Sequence, residues 1–297
     1  MRPYAIIEAP SNLGLSTVGV EELAGRLLEL GLAERIGARR AGRLAVPAND
    51  RSRDPETTIL NAGTIAAWSP SLADAVEAVL DAGEFPIVLG GDCTILLGPM
   101  LALRRRGRYG LLFIDGHADF FQPEAEPKGE GASMDLAWVT GYGPALLTDL
   151  EGRGPLVSPE DVVALGFRDH EDQAEFGSQP LPAGLVAFDL PAVRRLGIEA
   201  ATQAAVDHLV RRDLDGFFIH LDADCLDDAI MPAVDFRIPD GFSWTELATA
   251  LRIGLASDKV VGLEVTIYNP RLDRSGEAGR GLADVLAAAL ETAGRSA

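Results

Sequence analysis

The sequence predicts an α/β fold in which a mostly parallel sheet lies between two layers of helices. The first observation is a set of short runs rich in Val, Ile, Leu and Phe that are apolar at both odd and even positions, as buried parallel strands are. The second is that longer amphipathic segments separate these runs over the whole length, which favours a sheet with helices on both faces. The predicted strands cover residues 5–7, 85–89, 111–114, 162–167, 217–221 and 260–265.

The segments between the strands show the spacing of apolar residues that is typical of helices. Ser243, followed three residues later by Glu246, has the sequence of a capping box at a helix start. Residues 122–131, rich in Pro, Glu and Gly, predict a long loop of the kind that often carries function. No linker and no internal repeat is apparent, so we expect a single catalytic domain over residues 1–297. The predicted helices cover residues 71–82, 95–106, 199–211, 244–256 and 282–293.

Charge and composition exclude several classes of function. The 297 residues carry a formal net charge of −19, which would repel nucleic acid and anionic membrane surfaces. Two distant cysteines make no disulfide framework, and the first ten residues do not resemble a signal peptide. No apolar run approaches the roughly 20 residues that span a bilayer. We therefore expect a cytoplasmic protein that acts on a small molecule.

Polar clusters follow three of the predicted strands, at the strand ends where ligands bind in open α/β sheets. Alternate side chains of an extended segment face the same way, so the acids and histidines within each cluster should project together. A single Asp-x-Asp usually marks a solvated turn, but two such clusters at strand ends are hard to explain as surface. The clusters are Gly90-Gly91-Asp92-Cys93, Asp115-Gly116-His117-Ala118-Asp119 and His220-Leu221-Asp222-Ala223-Asp224.

So many acids would repel each other and lose hydration at high cost if they converged without a counter-charge. A pair of divalent metal ions resolves this, because carboxylates can bridge two cations and imidazole suits transition metals. The sequence therefore predicts a dinuclear metal site used for hydrolysis. The residues on which this prediction depends are Asp115, His117, Asp119, Asp222 and Asp224.

The order of these motifs resembles the ureohydrolase superfamily, which includes arginase, agmatinase and formiminoglutamase. Gly-Gly-Asp-x comes first, Asp-x-His-x-Asp second and Asp-x-Asp-x-x-Asp third, and the segment from Gly262 to Pro270 is similar to a later family element. The resemblance extends from the first strand to about Arg271. It implies a three-layer fold, two manganese ions that activate water, and hydrolysis of a linear C–N bond. Members of this superfamily often form homo-oligomers.

The resemblance also implies a role for each ligand. Asp115 and Asp222 would bridge the two metals, Cys93 and Asp119 would complete one of them, and His117 and Asp224 would complete the other. Asp119 would in addition orient the attacking water. Glu264 stands where the family has a carboxylate near the metals, which gives it a catalytic role by the same resemblance.

Three positions depart from the arginase pattern. Cys93 replaces a His, and a softer thiolate shifts metal preference from manganese toward zinc or iron. Ala132 stands near the place of the His that shuttles protons, and Ile267 replaces the Glu that pairs with the guanidinium. This combination is similar to Nω-hydroxy-L-arginine amidinohydrolase, whose substrate carries a hydroxylated nitrogen that is less basic and needs less help from an acid. A formimino or other amidine hydrolase and a non-catalytic metal-binding relative stay open as alternatives.

Four further residues are predicted to serve the reaction or the substrate. His220 lies on the same side of its strand as Asp222, so it either transfers a proton or supports the site by packing. Glu171 or Asp172 resembles the acids that bind the amino group of arginine. Lys128 in the long loop, with Glu130 beside it, is expected to reach the other end of the substrate.

Overall fold

Eight parallel strands form one sheet in the computed structural model, which describes residues 3–296. From edge to edge the strands run in the order β2-β1-β3-β8-β7-β4-β5-β6, and every neighbouring pair is parallel. The prediction of a mostly parallel sheet is confirmed. The strands are β1 Tyr4–Glu8, β2 Arg39–Arg43, β3 Phe85–Leu89, β4 Tyr109–Ile114, β5 Val162–Leu165, β6 Val186–Phe188, β7 Gly216–Asp222 and β8 Val260–Thr266.

Helices cover both faces of this sheet. Helices α3 to α6 contribute to the core on one face, and α1, α2 and α8 to α11 contribute to the core on the other. The helices are α1 Leu23–Glu29, α2 Leu32–Ile36, α3 Ala62–Asp81, α4 Leu97–Arg106, α5 Asp135–Val139, α6 Ala145–Thr148, α7 His170–Phe176, α8 Leu190–Leu196, α9 Ile198–Arg211, α10 Trp244–Leu255 and α11 Glu277–Ser296.

Strand β4 shows why both parities of the predicted strands are apolar. Leu111 and Phe113 pack into the core on one face of the sheet, and Leu112 and Ile114 pack into the core on the other. Because successive side chains of a strand point to opposite faces, a strand between two helical layers needs apolar residues throughout. The three-layer α/β/α architecture is confirmed.

The pattern of apolar residues did not reveal the two outermost strands. Strand β2 has the sequence Arg-Arg-Ala-Gly-Arg, and strand β6 has only three residues. An edge strand has one paired side and more contact with water, so it does not need a continuous apolar run. In β2, Arg40 and Arg43 form ion pairs with the buried Glu8 of β1.

The boundaries of the predicted helices agree with the structure to within two residues except at two helices. Helix α11 covers Glu277–Ser296 rather than residues 282–293, and α3 begins at Ala62 rather than at residue 71. Pro70 lies inside this helix and removes one hydrogen bond, which normally ends a helix. The turns before it are nevertheless helical because Ile65 and Trp68 are buried against the core. The capping box of α10 is confirmed: Ser243 Oγ accepts a hydrogen bond from Glu246 N at 3.2 Å, and Glu246 Oε2 accepts one from Ser243 N at 2.9 Å.

The strand order determines where the polar clusters meet. Strands β3, β8, β7 and β4 are neighbours in the middle of the sheet, although residues 85–89 and 260–266 are far apart in the chain. Their carboxyl ends therefore lie side by side at one edge of the sheet. Within residues 3–296, no helix is long and apolar enough to cross a membrane.

Candidate metal centre

Cys93 reaches the centre through a tight turn after β3. Gly91 packs so closely on the backbone of Ser11 that an added Cβ would lie 1.6 Å from its carbonyl oxygen. Asp92 shapes the turn, accepting hydrogen bonds from the Ser11 hydroxyl at 2.7 Å and from Thr94 N at 3.0 Å. The Cys93 thiol then lies 2.8 Å from Asp222 Oδ2. Asp92 is thus occupied in holding the turn, and Cys93 is the side chain that the turn presents.

A second group of side chains forms where β4 ends. His117 Nδ1 lies 3.0 Å from Asp224 Oδ2 and 3.6 Å from Asp115 Oδ1. Backbone amides hold the carboxylates, since His117 N donates to Asp115 at 2.7 Å and Gly116 N donates to Asp224 at 3.1 Å. Because these amides are fixed by the turn, the carboxylates are oriented before any metal binds.

Asp222 is positioned by the sheet itself. It lies opposite Thr266 in the β7–β8 register, and the Thr266 hydroxyl donates to Asp222 Oδ2 at 3.1 Å. Its other oxygen accepts a hydrogen bond from Asp224 N at 2.7 Å. Asp222 and Asp224 thus form a turn whose carboxylates both face the sheet edge.

His220 lies two residues before Asp222 on β7, in a row that crosses three strands. The register pairs Phe113 of β4 with His220 of β7, and His220 with Glu264 of β8. The imidazole stacks on the Phe113 ring at a centroid distance of 4.4 Å and an angle of 7°, and its Nδ1 lies 2.7 Å from Glu264 Oε1. The ring is held from both sides within the sheet.

The described residues contain two groups whose donor atoms lie within 4.8 Å of one another. One comprises Cys93, Asp115, His220 and Asp222, and the other comprises Asp115, His117 and Asp224. Asp115 belongs to both groups, as expected of a bridging carboxylate. Five of the six ligands expected from the sequence lie in these groups.

Asp119, the sixth expected ligand, is in neither group. It is buried, its φ of 42° is uncommon for a residue other than glycine, and it lies on the wall of the adjoining cavity. Burial, the charge of Asp115 and the nearby Asp135 raise the pKa of Asp119 well above its usual range.

The raised pKa values of several groups in the centre indicate that its acids need a counter-charge. Burial and the neighbouring carboxylates Asp224 and Asp115 raise the pKa of Asp222, and burial followed by the same kind of repulsion raises the pKa of the Cys93 thiol. Burial opposes ionisation of Asp115 too, but the neighbouring imidazoles of His117 and His220, each 3.6 Å from one of its oxygens, outweigh it and lower its pKa. Metal ions would remove this repulsion and displace the protons.

The unpartnered atoms support the same conclusion. Asp115 Oδ2, His117 Nε2, His220 Nε2 and Glu264 Oε2 are buried and have no hydrogen-bond partner among residues 3–296. Buried polar groups are normally paired, so a cluster of unpaired donors and acceptors indicates a missing ligand. Thiolate, imidazole and carboxylate at these spacings fit a pair of divalent ions.

A cavity opens from the centre toward the long loop. Its polar lining is acidic, with Lys128 as the one lysine among the described lining residues, and three phenylalanine rings contribute apolar surface. Lys128 Nζ lies 3.6 Å from Glu130 Oε2 and 5.6 Å from the centre of the Phe236 ring. The acids are Asp119, Glu126, Glu130, Asp169, Asp172 and Asp235, and the rings are Phe121, Phe176 and Phe236.

Two of the three predicted substrate contacts, Asp172 and Lys128, line this cavity. Glu171 does not lie among the lining residues and is exposed. The reason is that residues 170–176 form helix α7, in which positions 169 and 172 share a face and position 171 points elsewhere. Asp172 is therefore the member of the predicted pair that can meet a substrate, and Asp169 lies beside it.

The positions that depart from the arginase pattern also face the cavity. Ala132 and Ile267 both line it. Ile267 has a φ of 68°, a conformation that is strained for a β-branched side chain, and its backbone N–H donates to Gly91 O at 2.8 Å. The wall next to the centre is apolar at both places.

Comparison with known proteins identifies the fold. The model of the arginase family matches residues 3–291. The chain belongs to the arginase family. An arginase from Bacillus caldovelox is 28% identical over 281 residues, 92% of this chain and 93% of that one. An arginase from Brevibacillus brevis is 32% identical over 206 residues, 68% of this chain and 67% of that one.

Solved structures agree with this assignment. The native Bacillus caldovelox arginase superposes with a TM-score of 0.87 at 27% identity, covering 98% of each chain. A proclavaminate amidino hydrolase from Streptomyces clavuligerus has a TM-score of 0.71 at 17% identity, covering 100% of this chain and 93% of that one, which shows a shared fold. The arginase family places this chain among metal-dependent hydrolases of guanidino compounds.

Several residues of the site were not found from the sequence. Asp135 is fully buried near Asp119, and burial raises its pKa strongly. Glu126 and Asp235 complete the acidic lining of the cavity. Glu126 belongs to the long loop that was predicted to be functional, but Asp135 and Asp235 had no local signal because they reach the site only through the fold.

Proposed function

We propose that this chain is a dinuclear metal-dependent amidinohydrolase that cleaves a linear C–N bond of a small guanidino or amidino compound. The observation that carries the proposal is the pair of donor groups sharing Asp115, adjoining a cavity lined by acids. The proposed ligands are Cys93, Asp115, His117, Asp222 and Asp224, with His220 and Asp119 considered separately below.

Bound divalent ions would lower the pKa of water and supply a nucleophile at neutral pH. The residues around them have separate tasks. Asp119 faces the cavity, where its carboxyl can accept a hydrogen bond from the attacking water and orient it. Backbone amides and Thr266 keep the other carboxylates in place, so little reorganisation is needed when substrate arrives.

The wall that faces the scissile bond favours a guanidino or amidino group of low basicity. Ala132 and Ile267 supply neither a proton nor a carboxylate to a guanidinium. A hydroxyl group on a terminal nitrogen makes the whole guanidino group less basic, so it carries less positive charge for this wall to pair. Hydrolysis then releases the alkyl nitrogen as the amine, which takes up a proton from the attacking water, and the hydroxyl group stays in hydroxyurea. A hydroxyguanidine therefore suits this wall better than a plain guanidinium, and a formimino compound is the alternative because it too lacks a full guanidinium.

The far end of the cavity favours a cationic group on the substrate. Besides Asp119, five acids and one lysine line the cavity, which favours a cation, and Phe121, Phe176 and Phe236 offer ring faces that attract cations. Lys128 is already beside Glu130, which reduces its availability for a carboxylate. We infer that the substrate carries an amine at this end.

Three further properties belong to the same proposal. Manganese is the expected metal, and zinc or iron is favoured wherever Cys93 is a ligand. The protein would work in the cytoplasm, where its two cysteines stay reduced. The protein would form a homo-oligomer, as members of the superfamily often do.

The test is turnover of a substrate panel by metal-loaded protein. Arginine, its Nω-hydroxy derivative, the corresponding decarboxylated amines and a formimino amino acid are compared, with release of urea, hydroxyurea or formamide measured. We expect the decarboxylated amine of Nω-hydroxyarginine to have the highest kcat/KM. Equal rates on arginine and its hydroxy derivative would contradict the argument from low basicity of the guanidino group. No turnover of any compound by protein that holds two metals would indicate a non-catalytic relative.

A further inference from the structure

His220 combines complete burial with a free ring nitrogen. Its side chain has 0% exposure, and its Nδ1 is engaged by Glu264 Oε1 at 2.7 Å. Its Nε2 has no hydrogen-bond partner within the described part of the chain and lies 3.6 Å from Asp115 Oδ2. A buried imidazole with one nitrogen held by a carboxylate and the other unsatisfied is the usual arrangement of a metal-binding histidine.

The proton-transfer role considered from the sequence does not suit this location. A residue that transfers a proton to the leaving group must meet the substrate, yet His220 is not among the cavity-lining residues and has no exposed surface. Packing alone does not explain the position either, since it would leave the buried Nε2 without a hydrogen-bond partner, which destabilises a fold. The oxygen that lies 3.6 Å from Nε2 is Asp115 Oδ2, which belongs to one of the expected metal ligands.

The neighbours of His220 complete a set of four donors. Its ring lies within 4.8 Å of the donor atoms of Cys93, Asp115 and Asp222. Asp119, which was expected in this group, lies outside it and faces the cavity. The imidazole therefore supplies the fourth donor of this group, and it is a nitrogen donor in a group where Cys93 stands in place of the His of the arginase pattern.

We propose that His220 is a metal ligand through Nε2, in a four-donor site with Cys93, Asp115 and Asp222. Glu264 is its positioning residue, since the hydrogen bond to Nδ1 determines the tautomer and the direction of Nε2. One sulfur, one nitrogen and two oxygens form a softer set than carboxylates and imidazole alone, so this site prefers zinc, ferrous iron or cobalt to manganese. The inference rests on the dinuclear centre of the proposed function.

Cobalt binding provides a test that does not depend on activity. Metal-free protein is titrated with Co²⁺, and the sulfur-to-cobalt charge-transfer band, the visible d–d bands and the metal content per chain are recorded. For the unaltered protein we expect two cobalt ions, one of them with the thiolate band and the strong d–d absorption of a four-coordinate ion. For His220→Asn we expect at least about 100-fold weaker binding at the thiolate site and changed d–d bands.

Two variants serve as comparisons. His208→Asn alters an exposed histidine whose ring contacts Glu160 O, and it should bind cobalt as the unaltered protein does. Glu264→Gln should keep the four-coordinate spectrum but bind roughly 10–100-fold more weakly, because only the orientation of the ring is disturbed. Unchanged affinity and spectrum in His220→Asn would overturn the proposal.

A second measurement covers the case in which His220→Asn does not fold. X-ray absorption of the unaltered protein with one equivalent of Zn²⁺ should show one sulfur and one imidazole at the zinc, and a sulfur without an imidazole would overturn the proposal. The outcomes separate the two claims. Two bound metals with turnover but no His220 effect refute this inference alone, whereas failure to bind any metal refutes the proposed function as well.

Discussion

The two donor groups of the centre differ in their access to the cavity. The group of Cys93, Asp115, His220 and Asp222 is buried throughout, and it contains a thiol. The group of Asp115, His117 and Asp224 includes a histidine whose side chain is 14% exposed and lines the cavity. One group is therefore suited to hold a metal firmly, and the other is suited to meet substrate. Their shared carboxylate, Asp115, joins the two tasks.

The largest effect is expected from Asp115→Asn, because this change affects both groups at once. Losing a bridging charge should abolish binding of both metals and lower kcat by about 10³-fold or more. Metal content and turnover are measured together. The control is Asp258→Asn, which alters an exposed acid just before β8 begins, at the opposite end of this strand from the metal centre. Retention of one tightly bound metal in Asp115→Asn would show that the two groups are independent.

The next effect concerns the dependence of stability on pH. Burial raises the pKa values of Asp222, Asp119 and Asp135 in the folded, metal-free protein, so the folded state binds more protons than the unfolded state above the ordinary carboxyl pKa of about 4. Stability of the metal-free protein should therefore fall as the pH rises toward the elevated pKa values. Each such carboxyl lowers the free energy of unfolding by about 1.4 kcal/mol per pH unit between its ordinary and its raised pKa.

The histidines act in the same direction. Carboxylates outweigh burial and raise the pKa values of His117 and His220, so their contribution is also lost as the pH rises past those values. Asp115 has a lowered pKa, and its contribution disappears only in acid. Thermal unfolding from pH 5 to 8, with and without metal, should show a stabilisation by metal that grows with pH. A stabilisation by metal that decreases as the pH rises would contradict these directions of pKa shift.

A smaller and more selective effect should separate the two cysteines. Cys93→Ala removes a donor from the buried group and should abolish the thiolate-to-cobalt band. Cys225→Ala should keep that band, since Cys225 is packed in the core and is in neither donor group. We expect Cys225→Ala to lower only the free energy of unfolding, by roughly 1 kcal/mol, because a small buried group is lost. If Cys225→Ala lost the band while Cys93→Ala kept it, Cys225 rather than Cys93 would be the thiolate ligand.

The smallest effect is expected from the cavity. Asp172→Asn should raise KM about 3–10-fold for a substrate with an amine at its far end, because one attractive charge is lost in a partly exposed place. The value of kcat should stay the same. Glu171→Gln, next to it on α7 but outside the cavity lining, should change neither parameter. An equal effect of the two substitutions would show that only long-range charge matters.

Much of the candidate site was predictable because its signals are local. The motifs containing Asp115, His117, Asp222 and Asp224 follow buried strands, and the carboxyl ends of parallel strands meet at one edge of a sheet. Cys93 follows from its place after Gly-Gly-Asp at the end of β3. Glu171 shows the limit of this reasoning, because the orientation of a side chain in a short helix depends on how that helix docks.

The sequence by itself thus determined the α/β/α architecture and the ligand motifs, because apolar periodicity and strand-end positions are properties of short segments. Only the tertiary structure decided which donors lie close enough to one another to share a metal. His220 meets Glu264 and Asp115 through the register of β7 with β8 and β4. Asp135, Asp169 and Asp235 join the site from distant loops and helices. Register and docking depend on packing across the whole sheet, and no single segment encodes them.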